Sequence, residues 1–343
     1  MSQRLRIGIA GAGLITARAH LPAVLSCPDA ELAALVDTSV ERARELAARC
    51  GQTPQIAADI LDVLNGVDAM IIATPNASHG DLAMRCLGAG RHVLIEKPLA
   101  TSAAEGEAVV AAAHKSGKIA AVGYNRRFLS AVPLMKELLD DGYFGELYRF
   151  AYQFGVVGGW APVSSYNLQR QSAGGGVLTV EGSHFLDRLI HWFGVPDSCA
   201  YFDDSQGGPE ATAVCLFGYG EDGAGLAGEA RLSKTVPRRE GFALDTATGV
   251  VIFREEDDAL LFYPVDRPGI ELRLTSRRSA PVGKVGTHAL QLADFVSACR
   301  TGRPPRVPVT EGLATQRLID RLYAVRQPLA PVPDAVCSRQ RVA

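Results

Sequence analysis

What this chain lacks narrows its possible roles. No run of about 18 apolar residues occurs, so no membrane-spanning helix is expected. The opening "MSQRLRIGIA" runs straight into a strand with no signal-peptide pattern before it. The seven cysteines (27, 50, 86, 199, 215, 299 and 337) include no C-x-x-C. An odd, scattered set reads as reduced thiols in a reducing compartment, and a cytoplasmic location is the expectation. Neither sign of charge dominates. A net charge of −2 offers no basic face to nucleic acid or to an acidic membrane. Zinc-ligand spacing is missing, so no metal is expected. The G-x-S-x-G elbow of serine hydrolases is missing too, because "EGSHF" lacks its second glycine. No repeat and no low-complexity segment breaks the chain.

What is present is order of two kinds. With 343 residues the chain exceeds one ordinary core, so two domains are expected. Residues 1–122 alternate strand and helix: "LRIGIAGAG", "AELAALVD", "VDAMIIATP", "HVLIEKP" and "KIAAVGYN" read as strands. The helices between them, such as "SVERARELAARCG" closed by Gly51, imply βαβ units and a doubly wound parallel sheet. From 123 to 343 the pattern becomes α+β. "GELYRFAYQFGVVGG" and six segments between 199 and 275 read as strands of a large, mostly antiparallel open sheet. "HALQLADFVSACRTG" and "TEGLATQRLIDRLYAVRQ" read as closing helices, and the last residues as a tail.

"GIAGAGLIT" supplies Gly11-x-Gly13-x-x-Thr16, followed through the turn by Leu14 and Ile15. The motif follows a strand and opens a helix, the context a dinucleotide fingerprint needs. The first glycine permits a tight turn, and the second lets backbone N–H groups approach a pyrophosphate. Thr16 stands at the third glycine position and should crowd helix against strand slightly. Asp37 closes the next strand, followed by Thr38. A carboxylate there accepts ribose hydroxyls and repels a 2′-phosphate, so NAD is expected in preference to NADP. Asp37 can also cap the following helix. Thr74, Pro75 and Asn76 end the third strand at the same sheet edge and are expected beside the cofactor, with His79 close by.

Glu96 and Lys97 end the next strand at that edge, where a nicotinamide ring would lie. A lysine there could polarise a substrate hydroxyl; a plain ion pair at a strand end is the lesser alternative. Further on, "GGGVLTVEGSHFLD" places His184 and Asp187 on one helix face.

Together these segments carry a resemblance. "GIAGAGLIT…H", "ATPNASH", "EKPLA", "GYNRRF", "LMKELLDDGYFGEL" and "GGGVLTVEGSHFLD" resemble the glucose–fructose oxidoreductase / inositol dehydrogenase / rhizopine-catabolism (Gfo/Idh/MocA) oxidoreductases. The resemblance implies a Rossmann domain and a C-terminal α/β domain, whose open sheet face usually joins copies into a homodimer or homotetramer. It implies NAD(P)-dependent oxidation or reduction at one carbon of a sugar or cyclitol. Lys97 matches the family's catalytic-site lysine, and His184 its histidine on the reacting hydroxyl. The family's supporting aspartate falls on Val180, and the adjacent Glu181 is expected to point elsewhere. His184 could then act with Lys97 alone, Tyr166 or Tyr152 could relay the proton, or the chemistry could differ. An NAD-using glycosidase or a non-catalytic NAD sensor are the alternatives. Asn125 and Arg127 are expected to face the interdomain cleft: Asn125 at the cofactor, and Arg127, Tyr152 and Tyr166 at the substrate.

Overall fold

The computed structural model describes residues 3–158, 166–220, 225–276 and 283–329, apart from the side chains of 166 and 283–285. The first six strands are β1 (Leu5–Ala10), β2 (Ala30–Val36), β3 (Gln55–Ala57), β4 (Ala69–Ile72), β5 (His92–Ile95) and β6 (Ala120–Val122). They form one wholly parallel sheet in the order β3-β2-β1-β4-β5-β6. Every residue of β4 is buried, as a strand covered on both faces requires. Adjacent residues serve opposite faces: Ile72 and Ile95 join one core, Ile71 and Leu94 the other. The order reverses between β1 and β4, and a ligand crevice opens beyond the carboxyl ends of strands at such a reversal.

The helices are α1 (Leu21–Ser26), α2 (Val40–Arg49), α3 (His79–Gly88), α4 (Ala103–Ser116), α5 (Ala131–Asp140), α6 (Arg170–Ala173), α7 (Ser183–Phe193), α8 (Gly283–Thr301) and α9 (Val309–Ala324). The second sheet contains β7 (Leu147–Gly155), β8 (Ser198–Asp203), β9 (Thr212–Gly218), β10 (Ala227–Ser233), β11 (Arg238–Thr246), β12 (Gly249–Arg254), β13 (Ala259–Pro264), β14 (Leu272–Leu274) and β15 (Arg326–Pro328). Its order is β14-β13-β12-β11-β7-β10-β9-β8-β15, antiparallel except for the β7–β10 and β8–β15 pairs. Alternation along β7 sends Phe150, Tyr152 and Phe154 into the core against α5, α7 and α9. Ala151 and Gln153 face outward.

Two expectations change. The closing helices also pack on the first sheet. Leu292, Phe295 and Val296 of α8 pack into the core around Ile7, and Leu313 of α9 into the core around Ile72. Lower on α9, Leu318, Ile319 and Leu322 belong to the second core. One helix thus spans both cores. The tail also begins as structure, since Arg326–Pro328 adds a parallel edge strand to β8.

Arg127 sits in a short 3-10 turn, Asn125–Phe128, where the chain leaves the first sheet. Its Nε donates to Asp187 Oδ2 at 2.9 Å, and its Nη2 pairs with Glu311. The guanidinium is 3% exposed, so this pair fixes α7 and α9 to the domain junction. Removing one partner of a buried pair strands the other charge. Arg127→Ala should therefore lose about 3–5 kcal/mol of stability in urea unfolding, against near zero for a surface arginine.

Candidate active site

The site begins at the end of β1. Gly11 has φ +98°, and an added Cβ would lie 2.3 Å from the Ala73 carbonyl oxygen, so only glycine fits. Gly13 has nothing within 4 Å of where a Cβ would stand, leaving its backbone open to a ligand. Thr16, fully buried, turns its hydroxyl back to the Gly11 carbonyl at 2.5 Å. A π-helical turn, Thr16–His20, follows ahead of α1. Asp37 Oδ2 accepts from the Ala12 N–H at 2.8 Å, and Oδ1 accepts from Ser39 N–H at 2.8 Å. Both oxygens also accept from Arg42 Nη1, at 3.2 and 3.4 Å, so a ribose hydroxyl here would share the carboxylate with that guanidinium. These features fit a dinucleotide. Arg42 Nη1 lies 3.2 Å from Asp37 and partly offsets its charge.

The loop after β4 faces the same crevice. Thr74 accepts from Ser78 at 2.7 Å, and Pro75 precedes a short 3-10 turn. Asn76, buried, donates from Nδ2 to the Ala173 carbonyl at 2.8 Å, across the two domains. His79 departs from its expected cofactor role. It is 1% exposed, with Nδ1 2.8 Å from the Pro98 carbonyl and Nε2 2.9 Å from the Thr74 carbonyl. Both ring nitrogens face carbonyls, one on the loop after β4 and one on the loop after β5; burial favours the neutral ring, which donates to one of the two.

That second loop carries Glu96 and Lys97. Glu96 Oε1 meets His20 Nε2 at 2.8 Å, and Oε2 accepts from the Lys97 backbone N–H at 3.0 Å. Burial would raise its pKa. The bond and charge of His20, with Lys97 and His288, prevail and bring it down to about 2. Glu96 is thus a fixed anion clamping the turn. Lys97 is partly buried, and its Nζ donates to the Val180 carbonyl at 2.5 Å. Burial lowers its pKa, while Glu181 and Glu96 hold it up against Arg126 and Lys234.

Val180 lies on the second domain's contribution. Gly175 and Gly176 pass where any Cβ would strike Tyr323 or the Glu210 backbone. Glu210, fully buried, accepts from the N–H groups of Gly176 and Leu178 at 2.9 and 3.0 Å. A second π-helical turn, Leu178–Gly182, then delivers His184 in the first turn of α7. The His184 ring is buried with the Tyr124 ring edge-on at 6.0 Å. Its Nδ1 has no hydrogen-bond partner among the described residues. Burial first, then Arg126, Lys97, Arg188 and His288, push its pKa well below the usual histidine value. Lysine and imidazole therefore share one electrostatic neighbourhood, in which burial works against charge on both.

The other expected residues divide. Tyr152 stacks on Phe185 at 4.2 Å and donates its hydroxyl to Glu240 at 2.9 Å. Arg127 is corrected from substrate contact to the buried ion pair above, because its guanidinium is already engaged on two sides. Asn125 is buried and donates to Thr287 at 2.7 Å, tying the crevice to α8. The Tyr166 side chain lies outside the described residues. Leu14 and Ile15 lie in the turn after β1, and Thr38 lies just past the end of β2. Sequence reasoning missed Arg126, His20, His288 and Lys234. Arg126 is half-buried between Glu240 at 2.9 Å and Glu255 at 3.0 Å. No local pattern could have found these, since each partner is remote in sequence.

The family model described as "Oxidoreductase family, NAD-binding Rossmann fold" matches residues 5–124. The one described as "Oxidoreductase family, C-terminal alpha/beta domain" matches residues 136–256. The chain belongs to the Gfo/Idh/MocA oxidoreductase family. D-glucoside 3-dehydrogenase of Escherichia coli is 31% identical over 201 residues, covering 57% of this chain and 56% of that protein. The NADP-dependent scyllo-inositol 2-dehydrogenase IolW of Bacillus subtilis is 26% identical over 195 residues, 56% of this chain and 52% of that protein. The chain thus spans about half the length of the curated relatives it matches. Across the fold, a Kribbella flavida oxidoreductase domain protein superposes with TM-score 0.82 at 25% identity, covering 94% of this chain and 97% of that one. Levoglucosan dehydrogenase, solved with NADH and levoglucosan, superposes with TM-score 0.81 over 94% and 97% at 21% identity, a likeness of fold.

With no carboxylate at 180, His184 has nothing to raise its pKa. Val180→Asp should bring an anion close to the ring and move the acid limb of the pH–rate profile upward. The depressed His184 should leave the unmodified protein without such a limb near neutrality. A profile unchanged by Val180→Asp would remove His184 from the proton path.

Proposed function

We propose that this chain is an NAD-dependent oxidoreductase acting on a carbinol or keto carbon of a sugar or cyclitol. The observation carrying the reading is that Lys97 from the first domain bonds the turn delivering His184 from the second, beside the glycine turn of β1. NAD, when bound, exchanges a hydride with the substrate carbon through its nicotinamide ring. The chain's own groups handle the oxygen. Lys97 trades its bond to the Val180 carbonyl for one to the substrate oxygen, stabilising negative charge there. His184, neutral in its buried setting, takes the hydroxyl proton during oxidation and returns it during reduction. Its low basicity makes the protonated ring a strong acid, which suits reduction of a ketone at least as well as oxidation of an alcohol. Asp37 at the end of β2 supports NAD over NADP, with Arg42 moderating the preference. Outward residues Ala151, Gln153, Leu216 and Arg231 leave one face of the second sheet open for association between copies.

A panel of sugars and cyclitols, read by NADH absorbance with glycoside cleavage followed in parallel, tests the reading. NADH formation or consumption with a polyol or its ketone supports it. Cleavage with no net cofactor change would indicate transient oxidation instead, and NAD binding without turnover would indicate a sensor. On an active substrate, Lys97→Ala should lower kcat by about 10²–10³-fold while NAD affinity persists. Asp37→Ala should weaken NAD more than NADP, and equal losses would contradict the cofactor assignment.

A further inference from the structure

Glu181 does not point away from the site. The turn that contains it is π-helical, wider than an α turn, and this changes where consecutive side chains project. The Val180 carbonyl receives Lys97, while the next side chain sends Glu181 Oε1 to Lys234 Nζ at 3.0 Å and Oε2 to within 3.8 Å of Arg126. Three cations from three elements therefore converge on one peptide and one carboxylate: Lys97 after β5, Arg126 before α5, and Lys234 at the end of β10. Arg126 is also answered by Glu240 and Glu255, and Glu255 by Arg188 as well.

We propose that Glu181 is a positioning residue that replaces the carboxylate missing at 180, acting on Lys97 instead of on His184 and keeping that side chain an ammonium. The inference rests on the reading of Lys97 as the donor to the substrate oxygen. The charged and titratable groups around Lys97 are Glu181, Glu96, Arg126, Lys234, His184 and His288. Glu96 is committed to His20 and to the backbone of its own turn. Glu181 is the anion whose field counts most in favour of the charged lysine, and Lys97 counts most in holding Glu181 ionised. Lys234 and Arg126 fix the carboxylate without removing it from the site. The family's arrangement supports the imidazole. This one supports the ammonium and leaves His184 Nδ1 without a partner among the described residues.

The test is trace acetylation of the full chain without cofactor or substrate, over a pH series, with modification at Lys97 quantified by mass spectrometry. It reads the lysine's ionisation with no need for turnover, so it stands or falls separately from the proposed activity. In Glu181→Gln the Lys97 midpoint should fall by about one pH unit or more, and Val180→Asp/Glu181→Gln should restore it. Should the glutamine variant fail to fold, Glu181→Leu/Lys234→Met leaves no stranded ammonium, and the midpoint should still fall, by less. On an active substrate, the alkaline limb of kcat/KM should move to lower pH in Glu181→Gln. A purely structural role would lower the rate without moving that limb. A midpoint at Lys97 that is unchanged or raised in these Glu181 variants overturns the proposal.

Discussion

The hydrogen bond from the Lys97 ammonium to the Val180 carbonyl joins residues 83 positions apart and two separate sheets. Everything chemical in this molecule depends on that meeting. Lys97 belongs to a loop fixed by Glu96, His20 and His79, all on the first domain. Val180 belongs to a turn fixed by Glu210 beneath the glycines of the second. Asn76 crosses the same gap to Ala173, and α9 packs into both cores behind it. The junction is therefore braced on several sides. A main-chain carbonyl is also a modest partner for an ammonium, one that a substrate oxygen can replace.

The electrostatics around this junction pull two groups in the directions chemistry needs. Burial disfavours charge on both Lys97 and His184. The neighbouring cations reinforce that effect at the imidazole, whereas the carboxylates of Glu181 and Glu96 oppose it at the lysine. In the proposed reaction one group acts as a donor and the other as a proton acceptor, although each lies in the other's field. Separating two titratable groups by environment is the general route to acid–base pairs near neutral pH. Here the separation comes from Glu181 standing one residue away from the position at which the family keeps its aspartate.

The fold was legible because its signals are local. Buried parallel strands announce themselves as apolar runs ("AMII", "HVLI"), and β7 as strict alternation. Short edge strands such as Gln55–Ala57 and Arg326–Pro328 carry too few residues for a pattern, and the second is a strand only because β8 offers an open edge. The return of α8 and α9 to the first sheet is a tertiary choice that no periodicity reports. At the site, Gly11, Asp37, Lys97 and His184 were legible because each stands in a motif. His79 and Arg127 shared those motifs, but they proved to hold the frame together. Glu181 does point away from His184, as expected, but its contacts with Lys234 and Arg126 were not legible from the sequence. Arg126 and Lys234 acquire meaning only from partners more than fifty residues away.

The most direct test of this account is a crystal structure with NAD and a turned-over polyol bound. The account predicts one substrate oxygen within about 3 Å of both Lys97 Nζ and a ring nitrogen of His184, with the Val180 carbonyl released by the lysine. A substrate bound with Lys97 still on Val180, and with His184 facing no substrate oxygen, would contradict it.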